Sequence, residues 1–134
     1  MKYMFDGMKI DGAKVPPPNE RILKVVLSPE ISNISECTVL FSIISPGSGT
    51  GFHTHGSNEI MYVASGRGMG RVADEKMELR EDIVIFAPKG IEHSVENTGD
   101  ETLKLICFYI PSLKPAGYFE AAISKAKEHF KKLP

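Results

Sequence analysis

Two histidines one residue apart, followed four positions later by a glutamate, stand in the stretch GSGTGFHTHGSNEIMYVASG, Gly47 to Gly66. His53, His55 and Glu59 supply the nitrogen and oxygen donors that divalent ions bind. In an extended chain, side chains two positions apart project to the same side, with Cα atoms about 6.6 Å apart. Two imidazoles at that separation can lean toward one ion, through bonds of about 2.1 Å. Thr54 faces the other way, Gly56 and Ser57 let the chain turn, and a hairpin is expected to return Glu59 beside the histidines. A lone carboxylate at the head of the apolar run IMYVA is costly to bury unless a cation pairs with it. His93, in PKGIEHSVEN, follows a Pro-Lys-Gly turn, and an extended chain puts His93, Val95 and Asn97 on one face. If that face is the inner one, His93 joins the site. The alternative is a metal-free cluster in which the histidines hydrogen-bond the glutamate. The remaining histidine, His129, falls on the charged side of a helical pattern and reads as solvated.

Three imidazoles and one carboxylate leave about two open positions on an octahedral ion. Structural zinc prefers a closed tetrahedral set, so a catalytic or ligand-binding ion fits better. Mn(II) is the first expectation, with Fe(II), Ni(II) and Zn(II) as the other candidates. Two adjacent open positions can chelate a small carboxylate through two oxygens, or hold a substrate together with dioxygen.

Strands are needed to bring these groups together, and the chain supplies them. Apolar runs rich in β-branched residues recur from Arg21 to Leu27, Cys37 to Ile44, Glu59 to Ala64, Met69 to Ala73, Asp82 to Ala87, Glu92 to Asn97 and Thr102 to Ile110. Glycine, proline, asparagine and aspartate punctuate them, ADEK among the turns, as in a sandwich or barrel. The prolines of KVPPPNE forbid helix and make residues 1–20 an extended arm. From Tyr118 to Leu133, Phe119, Ala122, Ile123, Ala126 and Phe130 recur at helical spacing, which predicts one amphipathic helix outside the barrel. One domain over 1–134 is therefore expected: arm 1–20, barrel 21–114, helix 115–134.

Met61, Cys107 and Tyr109 are in phase to line the interior near the metal donors. The first two fit a packed core, whereas a buried Tyr109 hydroxyl must find a partner. Arg21 is in phase with Leu23, Val25 and Leu27, odd company for a charge; it is either a ligand contact or a strand end pointing to solvent. Arg67 and Arg71 read as solvated edge charges.

The whole composition sets bounds. At 134 residues, 42% hydrophobic, 25% charged and net charge −1, the chain can bury a core and carries no basic footprint for nucleic acid or an anionic membrane. No apolar run is long enough to cross a bilayer. The N-terminus is broken by charges and does not read as a signal peptide. Cys37 and Cys107 have no framework spacing, which suggests reduced thiols and a cytoplasmic protein. The chain lacks glutamine and tryptophan, and Lys and Glu dominate its charge, as in thermophile proteins.

These residues resemble the cupin superfamily. Its first motif runs glycine, five residues, His-x-His, three or four residues, Glu, six residues, glycine; Gly47, His53, His55, Glu59 and Gly66 match it. Its second runs glycine, five residues, Pro-x-Gly, two residues, His, three residues, Asn; Pro88, Gly90, His93 and Asn97 match, and Asp82 replaces the opening glycine. The resemblance implies an all-β double-stranded β-helix, or jelly-roll barrel. It also implies a metal on His53, His55, Glu59 and His93, and often a homodimer, to which the arm would contribute. Among cupins the short form and the run HTHGSNEIMYVASGRG look most like oxalate-decarboxylase-like proteins. That likeness implies binding of, or action on, a small carboxylate such as oxalate, with decarboxylation as the reaction in view; an Fe-dependent dioxygenase and a non-catalytic binder are the alternatives. True oxalate decarboxylases have two cupins, an arginine three residues before the first metal histidine, and a glutamate on a serine-rich lid. Here the arginine's position is Thr50, the lid is missing, and the nearest carboxylate is Glu101.

Overall fold

A computed structural model describes residues 3–133. Residues 1 and 2 of the expected arm and residue 134 of the expected helix lie outside them. Nine strands and one helix follow in order: β1 Ala13–Val15, β2 Arg21–Leu27, β3 Thr38–Ile44, β4 Asn58–Ser65, β5 Gly68–Val72, β6 Glu75–Leu79, β7 Val84–Ala87, β8 His93–Glu96, β9 Leu103–Ile110 and α1 Gly117–Lys131. They form a six-stranded sheet, β1-β2-β3-β9-β4-β7, and a three-stranded sheet, β6-β5-β8. This is the expected double-stranded β-helix.

Alternation drives the long strands. In β9, Leu103, Leu105, Cys107 and Tyr109 are buried while the residues between them are less so. The antiparallel register sets Tyr109 opposite Glu59 and Cys107 opposite Met61 on β4, and Cys107 opposite Leu40 on β3. One end of the enclosed space fills with Ile44, Val63, Leu79 and Leu103, all buried. The other end keeps the polar groups. Burying a large aliphatic side chain contributes about 1.5–3 kcal/mol, so the closed end holds the sheets together and the polar end need not.

The chain departs from the sequence reading at four places. His53 and His55 do not belong to a hairpin with Glu59. Residues 47–53 instead run antiparallel to β8, with bridges Gly49↔Glu96 and His53↔His93. Gly47 and Gly51, at φ 79° and 70°, break the strand regularity there. At Gly49 a Cβ would sit 2.6 Å from the Val95 carbonyl oxygen, so only glycine permits the approach. The second departure is β6: the turn expected at ADEK occupies Ala73 and Asp74, and a strand absent from the sequence reading follows from Glu75. Glu75 to Glu78 are all exposed, so this edge strand shows no alternation to read. Third, the strand expected from Asp82 begins at Val84. Asp82 has φ 71°, its N–H donates to the Val63 carbonyl at 3.1 Å, and its carboxylate accepts from the Tyr62 hydroxyl. The position where the family motif has glycine thus adopts a left-handed backbone, which aspartate tolerates better than most residues.

The arm is the fourth. It is not merely extended: Ala13–Val15 pairs with Arg21–Leu23, and Ile10, Ala13 and Val15 are buried. A Cβ on Gly7 would lie 2.2 Å from the Phe41 ring, and Lys24 Nζ donates to the Gly7 carbonyl at 3.1 Å. The arm is folded onto its own sheet. The helix matches its expected periodicity, burying Phe119, Ala122, Ile123 and Ala126 against β1 and β2. Phe130 meets Phe5 edge-on at 5.7 Å.

Candidate metal centre

Three elements deliver four side chains to one point. The segment before β4 carries His53 and His55, β4 carries Glu59, and β8 carries His93. One donor atom from each lies within 4.8 Å of all the others. Glu59 and His93 are each only 2% exposed, whereas His53 and His55 are half-buried.

The ring orientations are set by the backbone. His53 Nδ1 donates to the Gly51 carbonyl at 2.9 Å, and His93 Nδ1 donates to the Ile91 carbonyl at 2.9 Å. Since a carbonyl only accepts, each Nδ1 holds a proton and each Nε2 points to the cluster. His93 Nε2 lies 3.0 Å from Glu59 Oε1. His55 Nε2 lies 3.3 Å from the same oxygen, but off the line of a hydrogen bond, and this buried nitrogen has no partner. A buried orphan of this kind costs about 1–3 kcal/mol. A divalent ion shared with Glu59 would satisfy it, so the residues fit a metal. The His55 ring stands perpendicular to that of Tyr109, centroids 5.2 Å apart, which limits its rotation.

Electrostatics point the same way. Burial alone would raise the Glu59 carboxyl, but the His55 and His93 imidazoles overcome this and hold it at about 2. Burial pulls His53 below its ordinary value, partly offset by the Gly51 carbonyl. For His93 burial also acts downward, but the bonds to Glu59 and Ile91 win and raise it. A proton between His93 and Glu59 occupies the place a cation would take, so metal uptake would release it.

The donors open onto a cavity of about 210 Å³. Met61, Cys107 and Tyr109 line it, as their phase suggested, and so does Arg21, which is therefore not a strand end in solvent. Burial raises the Cys107 thiol and the Tyr109 hydroxyl far above their usual values, with Glu59 adding to the effect; both stay protonated. Arg67 and Arg71 lie outside the cavity, Arg71 stacked on Phe52 at 5.0 Å. Glu101 is exposed. His129 is half-buried rather than fully solvated. Asn97 touches no ligand position. Its amide donates to the carbonyls of Ile44, at 2.9 Å, and Glu101, at 2.8 Å, and so clamps the turn into β9.

Sequence reasoning missed Leu113, Tyr118 and Phe119, which close the cavity from the C-terminal side. Leu113 N–H donates to Thr38 Oγ1 at 3.0 Å, which fixes that approach. Phe119 was legible as helix core, but no local signal places a helix start against a site far earlier in the chain.

Comparison with known proteins bears on the family and the fold. A family model described as a cupin domain matches residues 40–109. An uncharacterised protein of Methanocaldococcus jannaschii is 33% identical over 91 residues, covering 67% of this chain and 73% of its own. An oxalate-binding protein of Thermotoga maritima is 34% identical over 68 residues, covering 50% of this chain and 56% of its own. Among solved structures, a predicted oxalate decarboxylase from Thermotoga maritima superposes with TM-score 0.74 at 24% identity, over 81% of this chain and 99% of that one.

Proposed function

The chain belongs to the cupin domain family, and from that premise we propose that it binds a small carboxylate, oxalate foremost, through a divalent ion held by His53, His55, Glu59 and His93. The observation that carries this reading is the convergence of the four donor atoms within 4.8 Å, with His55 Nε2 buried and unpartnered among them. The similarity to a protein named oxalate-binding supports the ligand class. Manganese is the proposed ion, with iron, nickel and zinc as competitors. Bound there, such an ion would polarise the oxygens of a chelated carboxylate and would stabilise charge developing on them.

The chain's own residues favour binding over turnover. Tyr109 and Cys107 stay protonated, and Glu101 lies outside the cavity. Glu59 is committed to the histidines. No further carboxylate lines the cavity, so a general base for decarboxylation is missing from its described walls. Met61 and Cys107 make a dry wall behind the ligand, and Tyr109 offers a hydroxyl donor.

The same reading includes pairing of two copies in the cytoplasm. On the outer face of the large sheet, Ile60 adjoins Phe86 and Phe108, and Tyr62 adjoins Val84 and Ile106. These side chains carry no charge, so an isologous partner presenting the same face would meet an apolar surface, with Lys104 on the same face of β9 and Asp82 bonded to Tyr62 as the nearby charges.

Metal analysis of protein purified without chelating resin, followed by calorimetric titration with each ion and then oxalate, tests the reading. One equivalent of metal and metal-dependent oxalate binding are expected. Protein that takes up no divalent ion would overturn it. Carbon dioxide release from oxalate, or oxygen uptake with a catechol, would replace the binder with a decarboxylase or a dioxygenase.

A further inference from the structure

Arg21 opens β2, and its neighbours in phase, Leu23 and Val25, face the interior. Both Arg21 and Leu23 line the metal cavity. The guanidinium is about half withdrawn from solvent. Nη1 donates to the Asn19 carbonyl at 3.0 Å, which anchors one side of the planar group and leaves its other donors uncommitted among the described residues. No carboxylate pairs with it: the ion pairs among the described residues are those of Glu59 with the histidines and of Lys131 with Glu128. An unpaired guanidinium inside a small and mostly apolar cavity needs an anionic partner.

The position where the related decarboxylases carry a substrate arginine cannot serve. The Thr50 hydroxyl donates to the Gly51 carbonyl at 2.9 Å and accepts from the Val95 N–H at 3.0 Å. Its single donor is spent inside the segment 47–53, and the bond it accepts ties that segment to β8. Any cationic grip on a ligand must come from another wall.

The charges facing the cavity can be counted. Arg21 and Glu59 are the full charges among its lining residues, and they cancel. A divalent ion adds two positive charges, so a dianion restores neutrality and a monoanion leaves one charge uncompensated in a low-dielectric space. We infer that Arg21 is a specificity residue: from the wall formed by β2 it grips the second carboxylate of a small dianion at the oxygen that chelation to the metal leaves free. This rests on the proposed metal site. It restricts the ligand class to compact dianions and assigns the selecting charge to a strand outside both family motifs.

Oxalate and oxamate test it, since both chelate through two oxygens and have similar shape, but oxamate carries one charge less. Wild-type protein and the variants Arg21→Met and Arg21→Lys are loaded with Mn(II), and metal content is measured before each ligand titration. Wild-type protein is expected to prefer oxalate over oxamate by about tenfold or more. Arg21→Met should retain stoichiometric manganese and a native circular dichroism spectrum, and lose most of that preference while oxamate affinity stays nearly constant. Arg21→Lys should restore part of it. An unchanged preference in metal-loaded Arg21→Met would overturn the assignment while leaving the metal site intact. Wild-type protein without manganese would remove the metal reading, and this inference with it. Manganese protein that binds neither ligand would also overturn the assignment.

Discussion

Strands β4 and β9 show different chemistry on their two faces. Inward they present Glu59, Met61, Cys107 and Tyr109; outward they present Ile60, Tyr62, Ile106 and Phe108, with Lys104 further along the same face of β9. The usual pattern for a half-buried sheet is apolar inside and polar outside. Here the polar groups are inside, at one end of the barrel, and the outer surface holds large apolar side chains. At its margin Val84 is 60% and Phe86 55% exposed. The difference teaches that the inner face is not optimised as core. It gives up apolar packing around the cluster in favour of donors, while the closed end supplies cohesion and the outer face carries the apolar surface on which the proposed pairing rests.

Four measurements would break or sharpen this contrast. The largest effect is expected at the cluster: His93→Ala should weaken manganese binding by more than about 100-fold. It also strips Glu59 of its 3.0 Å partner, so metal-free stability should drop by about 1–3 kcal/mol in urea unfolding. At the closed end, Leu103→Ala should cost about 2–5 kcal/mol and leave one equivalent of metal bound. If it also emptied the site, the two ends would not be separable.

The third measurement is pH dependence of the metal-free protein. Glu59 is depressed from 4.5 to about 2 in the fold. A depressed carboxyl stabilises the fold above its unfolded value and loses that contribution as pH falls toward its folded value. Stability should therefore decline between about pH 5 and pH 2, and Glu59→Gln should flatten the decline. The smallest effect on stability is expected outside: Phe86→Asp should change it by about 0.5 kcal/mol or less and keep the metal. Light scattering should nevertheless show a shift from dimer to monomer. An unchanged mass would remove the role given to the outer face.

Much of this was legible from residues alone, for reasons that differ by element. The alternation of LKLICFYI and the helical spacing of Phe119, Ala122, Ile123 and Ala126 report burial directly, because period follows from backbone geometry. β6 was illegible because four of its five residues face water. The hairpin expected between His55 and Glu59 failed because strand partners are chosen by long-range pairing, and Gly49 offered β8 a closer approach. Asp82 shows the opposite case, where a residue other than the motif's glycine takes a positive φ that its identity did not announce.

What the sequence determined by itself was the inventory and the local aim: which donors exist, which of them share a side of the chain, and which segments alternate or wind. Tertiary structure alone decided that His53 lies beside His93, that Arg21 faces the cavity, and that the helix start closes it. The reason is physical. Spacing along a chain fixes the direction of a side chain relative to its own backbone, but which side is inside depends on how the sheets pack.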